Sequence, residues 1–164
     1  MHQSPAGPIR LFVAAVLVLL TLSAVGDPVP LAPVPASTPP ALARRLAGYQ
    51  ASARWPQRAD LGVPLYPDLR AFMVQRFAAA PAKLATVLFT THAPAARVLK
   101  WYARRLPEWH LDKASGVLAP RDCGTPGALH NRCPYIEAQN VKTHQCGPAF
   151  DCTGQVAISY RPGP

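Results

Sequence analysis

The sequence has no Gly-x-Gly-x-x-Gly run, no Gly-x-Ser-x-Gly elbow and no Cys-x-x-Cys pair in its 164 residues. Those absences exclude a dinucleotide-binding half, a hydrolase nucleophile elbow and a thioredoxin-like redox centre. Length argues the same way, since about 100–200 residues is the ordinary allotment of one domain. Acidic residues are scarce, 8 against 17 basic ones, which leaves a formal net charge of +9. Lysine is scarce as well, 4 against 13 arginines, beside 28 alanines and 20 prolines. This Ala/Pro/Arg bias is the mark of a GC-rich genome, so part of the basic balance is compositional. The prolines keep no fixed period with glycine, which excludes a collagen-like fibre.

Long apolar runs are absent except at one place. Leu11–Leu20 is ten consecutive apolar residues, with Arg10 in front and Ala24-Val25-Gly26 behind. A positive start, an apolar stretch of about 7–15 residues and small residues before Asp27 make a secretory signal peptide over 1–26. The rival is a retained anchor, but Leu11–Val25 is 15 residues, short of the roughly 20 that span a bilayer. No stable transmembrane span is expected after cleavage. Six prolines then fall within 27–40, and that stretch is expected to be an extended spacer. The folded unit is expected over 41–164, as a single α+β domain with a Cys-rich lobe over 120–153. Its 34 large apolar or aromatic residues suffice for one modest core.

The four cysteines, Cys123, Cys133, Cys146 and Cys152, all fall late. An even count in an exported chain reads as two disulfides, with three pairings open, and each bridge contributes about 2–4 kcal/mol. The competing reading is zinc, through His130-x2-Cys133 and His144-x-Cys146, although neither half has the paired spacing of structural zinc sites. No cofactor motif is present.

Periodicity places the elements. Ala41–Gln50, with Leu42 and Leu46 one turn apart, predicts a short helix ended by Gly48. Arg54–Pro67 reads as an irregular approach and Pro67-Asp68 as a turn corner. Leu69–Phe77 and Leu84–Thr91 read as an antiparallel hairpin. From Pro94 to Pro107, Ala95, Val98 or Leu99, Tyr102 and Leu106 recur at helical spacing, with Arg97, Lys100, Arg104 and Arg105 on the other side. Trp109–Leu111 and Val117-Leu118 predict a second hairpin; Tyr135–Val141 and Gln155–Tyr160 predict two more strands. The order α-β-β-α-β-β-β-β predicts an α+β fold: a small antiparallel sheet covered by one main helix, with a disulfide-stapled C-terminal lobe.

Leu61-Gly62-Val63-Pro64-Leu65-Tyr66-Pro67, followed after two strands by Thr90-Thr91-His92-Ala93-Pro94-Ala95-Ala96-Arg97-Val98-Leu99-Lys100-Trp101-Tyr102, resembles a known pattern. Small exported bacterial α+β domains of unknown function, periplasmic or lipoprotein-like, read "vPvYPga … T.dspeeV..FY…L". The resemblance covers residues 61–111. It implies that the Tyr-Pro corner opens the sheet and that the helix carries the aromatic pair Trp101-Tyr102. Asp68 stands where Gly-Ala is usual, and His92-Ala93 where an acidic cap is usual. The motif is structural and implies no activity.

Two groups of residues carry candidate chemistry. Glu108, His110 and Asp112 alternate, so a strand would put a carboxylate–imidazole–carboxylate stripe on one face, able to orient a general base or hold a metal. Its structural explanation is the solvated face of an edge strand. The basic helix face, Arg97, Lys100, Arg104 and Arg105 with Trp101 beside them, suits an anionic surface, while Trp101 near Arg97 and Arg105 also fits ordinary cation–π packing. Nucleic acid is a poor partner for an exported chain. The favoured expectation is a non-enzymatic binding or scaffolding domain, periplasmic or secreted, whose partners are anionic envelope components. The alternative is a small envelope hydrolase or metal-dependent enzyme using Glu108, His110 and Asp112 with another of His92, His130 and His144.

Overall fold

Alternation of side chains decides which face of the sheet each residue joins. In the last strand Val156, Ile158 and Tyr160 enter the main core, so Gln155, Ala157 and Ser159 turn to the opposite face. The computed structural model describes residues 26–76, 84–123, 133–142 and 150–163. Nearly all of the expected leader, the 77–83 connection, His130, His144 and Cys146 lie outside the described residues.

The elements are helix α1 (Pro40–Ser52), a 3-10 turn (Arg58–Leu61), β1 (Arg70–Arg76), β2 (Ala85–Thr91), helix α2 (Ala95–Arg105), β3 (Trp109–Asp112), β4 (Val117–Pro120), a second 3-10 turn (Arg121–Cys123), β5 (Tyr135–Asn140) and β6 (Gly154–Tyr160). The six strands form one antiparallel sheet in the order β1-β2-β6-β5-β4-β3. The final strand thus lies in the interior, joining the β1–β2 pair to the β3–β4–β5 meander. A register shift between Ala71 and Met73 interrupts β1. The β3–β4 turn needs Gly116, whose φ is 69°; a Cβ there would lie 2.9 Å from the Ala138 carbonyl.

The fold is α+β as expected, but the described residues form two helices of similar length, 13 residues in α1 and 11 in α2. They are held differently. Helix α2 buries Ala95, Val98, Leu99 and Tyr102 against the sheet, where each large side chain contributes roughly 1.5–3 kcal/mol. Helix α1 buries no residue fully; Leu46 packs against the Phe72–Phe150 cluster, and polar contacts fix the helix at the sheet edge. Tyr49 Oη accepts from the Val74 N–H at 2.9 Å and donates to the Val74 carbonyl at 3.1 Å. Pro94 precedes α2, and the first free N–H, on Ala95, donates to Asn140 Oδ1 at 2.8 Å. The cap therefore comes from the end of β5 and not from a neighbour in sequence.

The expectation of a spacer fails over 27–32. Val29 and Ala32 are buried, and Leu31 bridges Ala71 in parallel. The Ala71 N–H donates to the Pro30 carbonyl at 2.7 Å, and the Ala32 N–H donates to the Ala71 carbonyl at 2.8 Å. Proline removes a donor but keeps its carbonyl, so a chain that places prolines at 28, 30 and 33 still serves as a short edge partner. The approach over Arg54–Pro67 is likewise less irregular than expected, because the 3-10 turn sits within it.

Between α2 and the sheet lies the main core, with Phe89, Val98, Tyr102, Ile136, Val156 and Ile158 wholly buried. The other face carries two smaller clusters. One is Ala32, Phe72, Phe150 and Cys152; the other is Val117, Ala119 and Tyr135 against Cys123 and Cys133.

Candidate anionic-surface site on helix α2

At 100° per residue, Arg97, Lys100, Trp101, Arg104 and Arg105 fall on one side of α2, opposite the buried line of Val98, Leu99 and Tyr102. All four cations are exposed and Trp101 is half-buried. None of the four pairs with a carboxylate among the described residues. Arg104 and Arg105 also occupy the last turn, where the helix dipole favours positive charge. The Arg121 guanidinium reaches the Pro107 carbonyl at 3.5 Å and adds a cation near the same helix end.

Trp101 is not free to move. The Arg105 guanidinium lies 3.9 Å from its ring centre, and the rings of Tyr66 and Tyr102 meet it edge-on at 5.4 and 4.9 Å. Tyr102 is buried and its hydroxyl oxygen accepts from the Tyr66 N–H at 3.3 Å. Burial pushes the Tyr102 pKa up, so the hydroxyl stays neutral. The Tyr-Pro corner and the aromatic pair of α2 thus form one rigid unit beneath the cations. Helical spacing made the basic face legible in sequence; the role of Tyr66, 35 positions before Trp101, had no local signal.

The stripe is put to other uses. Glu108 lies in the turn before β3, while His110 is exposed on β3. Asp112 shapes the turn that follows: its carboxylate accepts from Ser115 Oγ at 2.8 Å and from the Ala114 N–H at 2.9 Å. Those hydrogen bonds, the Ser115 hydroxyl first, hold the Asp112 pKa below the ordinary carboxylate value. As a four-residue edge strand, β3 is short and flanked by charge, which discourages pairing with another chain. Among the described residues no three His, Cys, Asp or Glu side chains gather as metal ligands.

His92 stands apart, beside Asp68. The Asp68 carboxylate accepts from the His92 N–H at 2.7 Å and from Thr91 Oγ1 at 2.8 Å. His92 Nδ1 is 3.8 Å from its other oxygen. This arrangement ties the Pro67-Asp68 corner to the end of β2.

Cys123 and Cys133 form a disulfide, with Cα atoms 6.0 Å apart. A disulfide sulfur has no thiolate to give zinc, so the His130-x2-Cys133 zinc reading is overturned. Cys152 is also disulfide-bonded. Among the described residues, clefts also lie outside the helix face. One, about 360 Å³, has Asp60, Trp109, Asp122 and Tyr160 in its walls; another, about 210 Å³, opens on the sheet face away from α2. Neither contains Glu108, His110, Asp112 or His92. Among the described residues no helix is long and apolar enough to cross a membrane. No family model, curated protein or solved structure matches the chain.

Proposed function

We propose that the chain is a non-enzymatic exported domain, periplasmic or secreted, that binds an anionic component of the cell envelope through α2. One observation carries this reading: four exposed cations, none paired with a carboxylate among the described residues, share a helix face with a tryptophan fixed by Tyr66, Tyr102 and Arg105. The apolar leader supports export, and the Cys123–Cys133 bridge suits an oxidising compartment. Near an anionic surface each Lys or Arg contributes about 1 kcal/mol. The test is co-sedimentation of the mature, oxidised protein with vesicles containing phosphatidylglycerol, and in parallel with lipopolysaccharide. Binding to at least one is expected to weaken with added salt. Reversing Arg97 and Arg104 to glutamate together should lower the partition coefficient by about a hundredfold or more. Absent or salt-insensitive binding to both would remove the proposal.

A further inference from the structure

The sheet face turned away from α2 carries a trough that none of the functional reading above uses. Cross-strand pairing sets its side chains in rows. Gln75, Thr86, Ser159 and Tyr135 form one row across β1, β2, β6 and β5; Leu88, Ala157 and Glu137 form the next; Thr90, Gln155 and Gln139 form the third. Ala157 lies in the middle of this pattern, and its small side chain leaves a depression of about 210 Å³. The two small apolar clusters bound it. Leu88 packs against the one that includes disulfide-bonded Cys152, and Ala157 against the one that includes Cys123–Cys133. The depression is therefore framed by covalently fastened walls.

Its lining specifies a chemistry. Glu137 is the one ionised group and no Lys or Arg takes part. Three side-chain amides, from Gln75, Gln139 and Gln155, line it; Gln75 Nε2 already donates to Met73 Sδ at 3.3 Å, and the exposed Gln139 amide offers both a donor and an acceptor. The Tyr135 hydroxyl stays protonated, because burial pushes its pKa up. An anion placed here would meet Glu137 with no cation to offset it, and an apolar ligand would strand the amides. An extended peptide docks on a free strand edge. Here β2, β6 and β5 are paired on both sides, and Pro30–Ala32 and Tyr49 occupy the outer side of β1. The volume is below the roughly 300–1,000 Å³ of a drug-sized pocket and suits a single ring. What fits is an uncharged ring bearing several hydroxyl or amide groups.

We propose that this trough is a subsite for one neutral sugar residue of an oligosaccharide, with Glu137 accepting from its hydroxyls and Gln139 bonding the same ring. The site is independent of α2, which packs on the opposite face of the sheet. The test is a titration of the oxidised mature protein, followed by ¹H–¹⁵N NMR, with the N-acetylglucosamine tetramer, the α-1,4-glucose tetramer and, as a cationic control, the deacetylated glucosamine tetramer. At least one neutral tetramer is expected to give saturable shifts at residues of the three rows. Glu137→Gln and the exposed-site variant Gln139→Ala should each weaken it by about tenfold, the loss of one good hydrogen bond to the ligand. Both should keep the parent's thermal midpoint to within a few degrees. The Arg97→Glu, Arg104→Glu protein should bind sugar as the parent does, which separates this site from the anionic-surface reading. Lack of saturable shifts with both neutral tetramers, binding by the cationic tetramer alone, or full affinity in both folded variants would overturn the proposal.

Discussion

Under α2, Phe89, Ile136 and Ile158 are wholly buried in one continuous cluster that also takes in Val98 and Tyr102 from the helix. On the opposite face of the same strands, the apolar residues divide into two small groups, each containing disulfide-bonded cysteine. Between them Glu137, Gln139 and Gln155 occupy positions that in β5 and β6 alternate with Ala138 and Val156 of the core. The contrast shows how a modest domain divides its labour. Non-covalent packing holds one face, so the other is released from core duty and keeps its polar groups, with cross-links in place of buried area.

The sharpest way to break this comparison is to cut the same strand on each side. Phe89→Ala removes a side chain with no exposed surface from the main core and should cost about 3–5 kcal/mol. Leu88→Ala, one residue earlier and half-buried on the trough side, should cost about 1–2 kcal/mol, below the range for fully buried leucines. Urea unfolding of the oxidised proteins measures both. Equal losses would mean that the two faces share the load.

The next test removes a cross-link. Cys123→Ser with Cys133→Ser opens a loop whose ends are 10 positions apart, and chain entropy sets the loss at about 2–3 kcal/mol. Hydrogen exchange locates it. The amides of Val117, Ala119 and Tyr135, which pack with this bridge, should exchange faster relative to global unfolding, whereas those of Val98 and Tyr102 should follow global unfolding alone. Uniform acceleration would show that the bridge supports the main core as well.

What the sequence disclosed follows from what periodicity encodes. Alternation in Gln155–Tyr160 and the helical spacing of Val98, Tyr102 and Leu106 announce which side is buried, and the element order follows from them. Periodicity does not name neighbours, so nothing local announces that β6 lies between β2 and β5. Extended edge strand and polyproline spacer share a backbone region, which is why 28–32 reads as linker until its partner Ala71 is known. Asn140 caps a helix that begins 45 positions earlier, and no capping pattern spans that distance. The basic arc on α2 was visible because one helix contains it. The trough was not, because its rows are assembled from four strands.

The smallest predicted effect concerns the corner where β1 begins and β2 ends. Burial raises the Asp68 pKa, but the His92 N–H, the Thr91 hydroxyl and the charges of His92 and Arg70 together outweigh it and leave the carboxyl below its ordinary 3.8. A carboxyl depressed in the folded state is deprotonated there while the unfolded chain still takes up protons. Its contribution is therefore complete above the ordinary value and disappears as pH falls through the folded one. The side chain is 41% exposed, so solvent screens the interaction and the effect should fall below those of the core and the cross-link. Asp68→Asn should lower the thermal midpoint slightly at neutral pH, and the gap from the parent should close under acid. A gap that persisted unchanged at acid pH would assign the role of Asp68 to the geometry of its two hydrogen bonds. Closure would assign it to charge, and would show that the join between the start of β1 and the end of β2 depends on an ionised group.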